Sequence, residues 1–105
     1  MYGIKEANLN EGYLERSNIK RANFIIEADL KEASLKRSNF AEVNLREANL
    51  ERTNFREVNF KWTNLIGANL QKANLKESDF AEANLREANL EGANLERANF
   101  REANL

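Results

Sequence analysis

The sequence predicts an all-β solenoid whose coils have four sides of five residues each. Every fifth residue from Leu30 to Leu105 is Leu or Phe, sixteen times in succession. The residue before it is almost always Asn, and the residue two before it is almost always small. A period of five matches neither the 3.6 of a helix nor the 2 of a strand, so the chain is a repeat throughout.

Each five-residue unit is a short extended step followed by a corner. In one unit, Ala48 occupies the inner small position, Asn49 the middle position and Leu50 the centre, and Glu51 and Arg52 occupy the first and second corner positions. On an extended backbone the small residue and the centre point to the same side, and the middle residue points to the other. Each unit is therefore predicted to bury two side chains and to expose three.

A helix is the alternative, because Ala, Leu, Glu, Lys and Arg all favour helices. At 100° per residue, however, a spacing of five turns each centre by about 140° from the last. The centres would then spread around the whole cylinder and leave no apolar stripe.

The number of sides in a coil follows from the aromatic centres. After the first quarter of the chain, every Phe centre except Phe55 lies in one series spaced by twenty, namely Phe40, Phe60, Phe80 and Phe100. Four units per coil place this series in one column, as expected when each coil of a solenoid rests on the last.

The middle-position Asn residues have two interpretations. Their amides could form a flat array that binds a ligand, or each could bond to backbone near its own corner. We favour the second, and expect Asp29 and Asp79, which fill the same slot, to behave in the same way.

These units closely resemble those of the pentapeptide-repeat family, which read roughly Ala-Asp/Asn-Leu-X-X. The resemblance implies a right-handed quadrilateral parallel β-helix with four pentapeptides per coil and about five coils, with Leu/Phe and the small residue inside. The family often has Gly in the last place of the unit, whereas here only Gly67 and Gly92 occur there. We therefore expect most corners to be of a type that suits other residues.

One pentapeptide-repeat domain is predicted over residues 1–105, with a phase shift of one residue near 25–27. Before the shift the centres are Ile4, Leu9, Leu14, Ile19 and Phe24. The next centre, Leu30, comes six residues after Phe24 instead of five. We expect a bulge at that corner, with Ile25 as the extra residue.

Composition limits the possible functions. The 16 basic and 17 acidic residues give a formal net charge of -1, which provides no field to attract nucleic acid or an anionic membrane. There is no Cys and no His, and no apolar run approaches the roughly 18 residues of a membrane span. We expect a cytoplasmic protein that binds neither nucleic acid nor membrane.

No catalytic, cofactor or metal site is predicted. Without His or Cys, a nucleophile would have to be Ser, Thr or Lys. Ser17, Ser38 and Ser78 stand at the inner small position, where they are core fillers. A filled interior leaves no cleft for a substrate, so the chain is predicted not to be an enzyme.

A possible protein-contact patch consists of apolar residues at corner positions. Trp62 stands in a column otherwise made of Glu, and Ile66 follows at the next corner, in the column of Ile26. Lys61 precedes Trp62. Exposed Trp is common at binding hot spots, so these four residues are the candidate site.

The sequence therefore favours a non-enzymatic structural or protein-interaction module with an unidentified protein partner. One alternative, drawn from the family, is a DNA mimic that binds a type II topoisomerase such as gyrase. Against it, the four sets of corner residues carry charges of about +2, +1, -1 and -1, and mimicry needs a dense line of negative charge. A second alternative is a consensus or truncated repeat scaffold without its own activity. The open coil that ends at Leu105 also suggests end-to-end self-association.

Overall fold

The coil repeats every twenty residues. The structure, a computed structural model, describes residues 3–4, 20, 23–24 and 29–105. From residue 29 onward, single parallel bridges join residues twenty apart, from Asp29–Asn49 to Asn84–Asn104. This separation confirms the predicted coil of four five-residue sides. The Cα trace measures 29 × 23 × 23 Å along its principal axes.

Two short strands lie near the amino terminus. Strand β1 (Gly3–Ile4) pairs in parallel with strand β2 (Asn23–Phe24), with Gly3 opposite Asn23 and Ile4 opposite Phe24. The coil period is therefore already twenty before the phase shift. The predicted bulge at Ile25 falls on residues 25–28, which lie outside the described residues.

In a unit with a coil on each side, such as residues 53–57, every backbone N–H has a partner, as buried or half-buried donors require. The centre and the second corner position donate to the following coil: Leu30 N–H to Asn49 O at 2.8 Å, and Glu32 N–H to Glu51 O at 2.9 Å. The middle position donates to the preceding coil, as Asn54 does to Ala33 O at 2.9 Å. Bonds in both directions are the pattern of a parallel ladder.

The two remaining donors close the corner. The inner small residue donates to the centre three residues earlier, as Ala33 does to Leu30 O at 3.0 Å. The first corner position donates to the side chain of the middle position, as Lys31 does to Asp29 Oδ1 at 3.1 Å. A long solenoid of very short strands is possible because the five donors of an inner unit find partners in its own coil and in the two adjoining coils.

The core is the column of centres and inner small residues that the sequence predicts. Leu30, Leu50 and Leu70 have no exposed surface, and the inner Ala residues beside them at 48 and 68 are buried as well. The Phe column is also confirmed. Phe60 stacks on Phe80 with ring centroids 4.7 Å apart, and Phe80 stacks on Phe100 at 4.8 Å.

The off-column Phe55 joins this stack. Its ring meets Phe60 edge-on at 4.9 Å and Phe40 edge-on at 5.6 Å. Phe40 is tilted against Phe60 at 5.5 Å, so three aromatic rings fill the centre of adjoining coils. The residue that breaks the column pattern in sequence thus completes an aromatic cluster in space.

Hydroxyl residues at the inner small position are core fillers. Ser38 and Ser78 are buried, and each donates to the carbonyl three residues earlier, of Leu35 and Leu75. The buried Thr63 donates to Phe40 O at 2.8 Å. These bonds satisfy the hydroxyl groups inside an apolar core.

The last coil is less covered than those before it. Leu95 is 39% exposed and Leu105 is 72% exposed, whereas Leu65 and Leu75 in the coils before them have no exposed surface. Self-association through this coil stays a prediction.

Candidate functional site

Every described corner has a left-handed residue at its second position. Thirteen of these residues are not glycine, with φ between 57° and 62°, and the other two are Gly67 and Gly92. The first corner position does not have positive φ, and a hydrogen bond closes the four residues, so the corners have type II turn geometry. The expectation that most corners suit non-glycine residues is therefore wrong. They use the conformation that glycine favours, and Glu, Arg, Lys and Trp adopt it.

The middle-position side chain stabilises this corner. Asn64 Oδ1 accepts from Ile66 N–H at 3.1 Å, and Asp79 Oδ1 accepts from Ala81 N–H at 3.0 Å. Fourteen such bonds follow the described chain. The local interpretation of the Asn column, and the shared role of the two Asp residues, are confirmed.

Trp62 stands at one of these corners. We define the Trp62 corner as residues 41–42, 61–62, 81–82 and 101–102, which stack on one another. Trp62 is 54% exposed and has a φ of 59°. The same φ recurs at every described second corner position, so it belongs to the repeat, and the exposed indole is what distinguishes Trp62.

The other predicted patch residues divide into three cases. Lys61 belongs to the same corner, but its Nζ lies 3.7 Å from Asp79 Oδ2, so the ammonium group points along the side of the coil that precedes Trp62. Ile66 lies one corner further on, separated from Trp62 by the side formed by residues 63–65, and is half-buried. Ile26 lies outside the described residues.

An open depression of about 270 Å³ lies on the Trp62 corner. It forms at Ala81, whose small side chain separates Lys61 from Arg101 along the first corner column. The residues that line it are Lys61, Asp79, Ala81, Glu82, Asn99, Arg101 and Glu102. We call this depression the Ala81 notch.

Hydrogen bonds hold the carboxylate of Asp79 within the Ala81 notch. Its Oδ1 accepts from Asn99 Nδ2 at 3.1 Å as well as from Ala81 N–H, and Lys61 lies beside its Oδ2. Sequence reasoning did not find this arrangement. The available signal was a small residue between two cations at twenty-residue spacing, at positions 61, 81 and 101.

The neighbouring corner carries the opposite charge. We define the Lys36 corner as residues 36–37, 56–57, 76–77 and 96–97, which hold five cations and three anions, or +2. The Trp62 corner holds two cations and three anions, or -1. Over these sixteen residues the two corners that flank the Phe column have opposite net charges, and Lys20, whose Nζ lies 3.9 Å from Glu42 Oε2, offsets the charge of the Trp62 corner at its amino-terminal end.

Ion pairs partly neutralise the Lys36 corner. Arg37 Nε donates to Glu57 Oε2 at 3.0 Å, and Arg56 reaches Glu77 Oε1 at 3.3 Å. The hydrogen bond from Arg37 holds the pKa of Glu57 below its usual value, with the charges of Arg37, Arg56 and Lys36 contributing. The first pair is exposed, where such pairs contribute little to stability, and the second is half-buried.

The arrangement of four short sides around a filled core defines a β-helical repeat protein. A family model that describes a pentapeptide repeat region matches residues 14–89 and 33–105. The chain belongs to the pentapeptide repeat family, as the resemblance implied.

Solved structures agree with this assignment. HetL, a pentapeptide repeat protein of Nostoc sp. strain PCC 7120 involved in heterocyst differentiation regulation, is 28% identical with a TM-score of 0.77. The match covers 96% of this chain and 50% of HetL, so the chain spans half the length of that relative. Rfr23, from Cyanothece 51142, is 27% identical with a TM-score of 0.54, and the match covers 97% of this chain and 86% of Rfr23.

A third structure has the same fold. The protein alr5209 of Nostoc PCC 7120 has a TM-score of 0.80 at 24% identity, over 88% of this chain and 83% of that one. This chain is thus a right-handed quadrilateral β-helix, as predicted. No match was found among curated proteins. The described part of the chain has no helix with the length and hydropathy of a membrane span.

Proposed function

We propose that this protein is a non-enzymatic interaction module that binds a protein partner at the Trp62 corner. The observation that carries the proposal is the 54% exposure of the Trp62 side chain at the second position of its corner. Among the second corner positions that the structure describes, it is the single aromatic residue. Aromatic side chains of this kind concentrate binding energy when a partner covers them.

Family membership supports a role without catalysis. The described core is filled by side chains with almost no exposed surface, and its repeat leaves the corners and sides as the surfaces available for recognition. HetL, whose match covers half its own length, is involved in regulation, and regulation through a protein contact needs no active site. We place this activity in the cytoplasm, which fractionation of the cells that produce the protein would test.

DNA mimicry is the less favoured alternative. Neither edge of the Phe-bearing side has a dense negative line: the Lys36 corner carries +2 and the Trp62 corner carries -1. A gyrase supercoiling assay would support mimicry only if the protein inhibited the enzyme or protected it from a quinolone.

A pull-down with the intact protein and its Trp62→Glu variant tests the interaction proposal. We expect a partner that the intact protein captures and the variant loses, because a carboxylate replaces the indole at the centre of the contact. Lys72→Glu is a matched control, since Lys72 is exposed at a second corner position with a φ of 58°.

The control should retain the partner. The same set of captured proteins with all three forms, or none with any, would refute the proposal and favour a repeat scaffold without its own activity. Circular dichroism of each form must show the same spectrum, so that loss of binding is not loss of folding.

A further inference from the structure

The Trp62 corner has an acidic column beside its indole. Glu42, Trp62, Glu82 and Glu102 stand at successive second corner positions, twenty residues apart. Adjacent coils of a parallel ladder are about 4.8 Å apart, so Glu82 follows Trp62 within one side-chain length. On one side of the exposed ring lies the carboxylate of Glu82, and on the other side Glu42 is paired with Lys20, whose Nζ lies 3.9 Å from Glu42 Oε2.

The carboxylates of Glu82 and Glu102 are available to a partner. Among the described residues, neither side chain is in an ion pair or a side-chain hydrogen bond, and both are exposed. Glu57 and Glu77, in contrast, are paired with arginines at the Lys36 corner.

The charge balance of the Ala81 notch favours a cationic guest. Lys61 lies beside Asp79, so these two charges offset each other. The remaining charged groups that line the notch are the carboxylates of Glu82 and Glu102 and the guanidinium of Arg101, which leaves one negative charge. An anionic guest would meet three carboxylates in a space of about 270 Å³.

The Trp62 indole provides a second attraction for a cationic group. A guanidinium or ammonium group within about 6 Å of a Trp ring is attracted by the negative face of the ring. Arginine also presents a planar fork of donors that matches carboxylates. A single arginine side chain can therefore cover the Trp62 ring and reach Glu82.

We propose that the Trp62 corner binds a basic segment of its protein partner, with an arginine over Trp62 and the Ala81 notch. The carboxylates of Glu82 and Glu102 accept hydrogen bonds from the basic side chains. This inference rests on the proposed function, because it names the chemistry of the partner at the same site.

The chain supplies its own reporter for the test. Trp62 is the one tryptophan of the sequence, so its fluorescence reports on this corner alone. Titration of the full-length protein with a blocked tetra-arginine peptide in 150 mM salt should give a saturable fluorescence change with a Kd of order 1 mM or tighter. A tetra-citrulline peptide, which keeps the shape without the charge, should give none.

Charge-removing variants locate the contact. In Glu82→Gln/Glu102→Gln, we expect the peptide to bind about fivefold more weakly or worse, because each surface ion pair contributes a factor of about two to five. The matched control is Glu47→Gln/Glu87→Gln, which removes the same charge from second corner positions of the next corner. Its affinity should stay within about twofold of the intact protein, because the Debye length at this salt is about 8 Å.

Several results would overturn the inference. These are no saturable change with tetra-arginine, an equal change with tetra-citrulline, or equal weakening in the control variant. A fluorescence change with protein concentration alone, together with a dimer in sedimentation, would assign the corner to a second copy of the chain instead.

The outcome separates this inference from the proposed function. If the partner captured in the pull-down is lost in Trp62→Glu but retained in Glu82→Gln/Glu102→Gln, the interaction site stands and its basic-segment chemistry is wrong. If Trp62→Glu loses nothing, the proposed function fails whatever the peptide does.

Discussion

Replacing Phe60 by leucine should destabilise the protein more than the same change at Phe100. Phe60 is fully buried and contacts three rings, with centroids 4.7 Å from Phe80, 4.9 Å from Phe55 and 5.5 Å from Phe40. Leucine restores most of the apolar area but none of the ring contacts. At the low end of about 0.5–1.5 kcal/mol per aromatic pair, three pairs amount to about 1.5 kcal/mol.

Phe100 is the control because it belongs to the same column but makes fewer contacts. It is half-buried and stacks on Phe80 alone, at 4.8 Å. Loss of one partly exposed stack corresponds to about 0.5–1 kcal/mol. The two variants therefore carry the same chemical change in two different environments.

Urea unfolding followed by circular dichroism measures both changes. The free energy of unfolding comes from the midpoint and slope of each transition, and an unchanged slope shows that the same surface unfolds. A Phe60→Leu/Phe80→Leu double-mutant cycle should show a coupling of about 0.5–1.5 kcal/mol. Equal losses at Phe60 and Phe100, or a neutral Phe60→Leu, would refute the account of the aromatic core.

Three other predictions concern the corners. Asn69→Ala should lower the free energy of unfolding by about 1 kcal/mol, because the N–H that the side chain caps loses its partner. Asn69→Asp should keep most of that stability. Equal losses for the two variants in urea melts would contradict the capping role. Glu87→Gly should stabilise the protein by roughly 0.5–1 kcal/mol, and Gly67→Ala should destabilise it by about 1 kcal/mol, since only glycine adopts positive φ without strain. Melting temperatures that shift in the same direction for both variants would contradict this. In Arg37→Gln, the pKa of Glu57 should rise toward its usual value in an NMR titration, because its hydrogen bond from Arg37 is lost. In the intact protein that pKa is lowered in the folded state. The small stabilisation is therefore present above the unfolded pKa and is lost as pH falls through the folded pKa. An unchanged pKa would mean that the other charges hold it.

The corners show where prediction from the sequence was incomplete. The five-residue spacing predicts a corner after each centre. The scarcity of glycine led us to expect corners of a type that suits other residues, whereas every described second corner position has positive φ. The type II geometry satisfies the N–H groups of both corner positions, through the middle side chain and the following coil. Those bonds explain how Glu, Arg, Lys and Trp are held in a conformation that isolated residues avoid.

Part of the candidate site was also predictable from the sequence, and part of it required the structure. Trp62 stood out in the sequence because it interrupts a column of Glu, and the structure shows it exposed. The sequence placed Ile66 at the next corner, and the structure adds that the side formed by residues 63–65 separates it from Trp62. The Ala81 notch needed the structure, because the depth at Ala81 depends on Lys61 leaning toward Asp79.

The amino-acid sequence alone determined the coil, its period of twenty, the inward residues and the family. Each of these depends on which side chains recur at a fixed separation along the chain, and this pattern is visible without coordinates. Only the tertiary structure showed that the second corner residues have positive φ, that Phe55 packs against the Phe stack, and which carboxylates are paired. Those properties depend on where side chains of adjacent coils point, and spacing along the chain does not specify that direction.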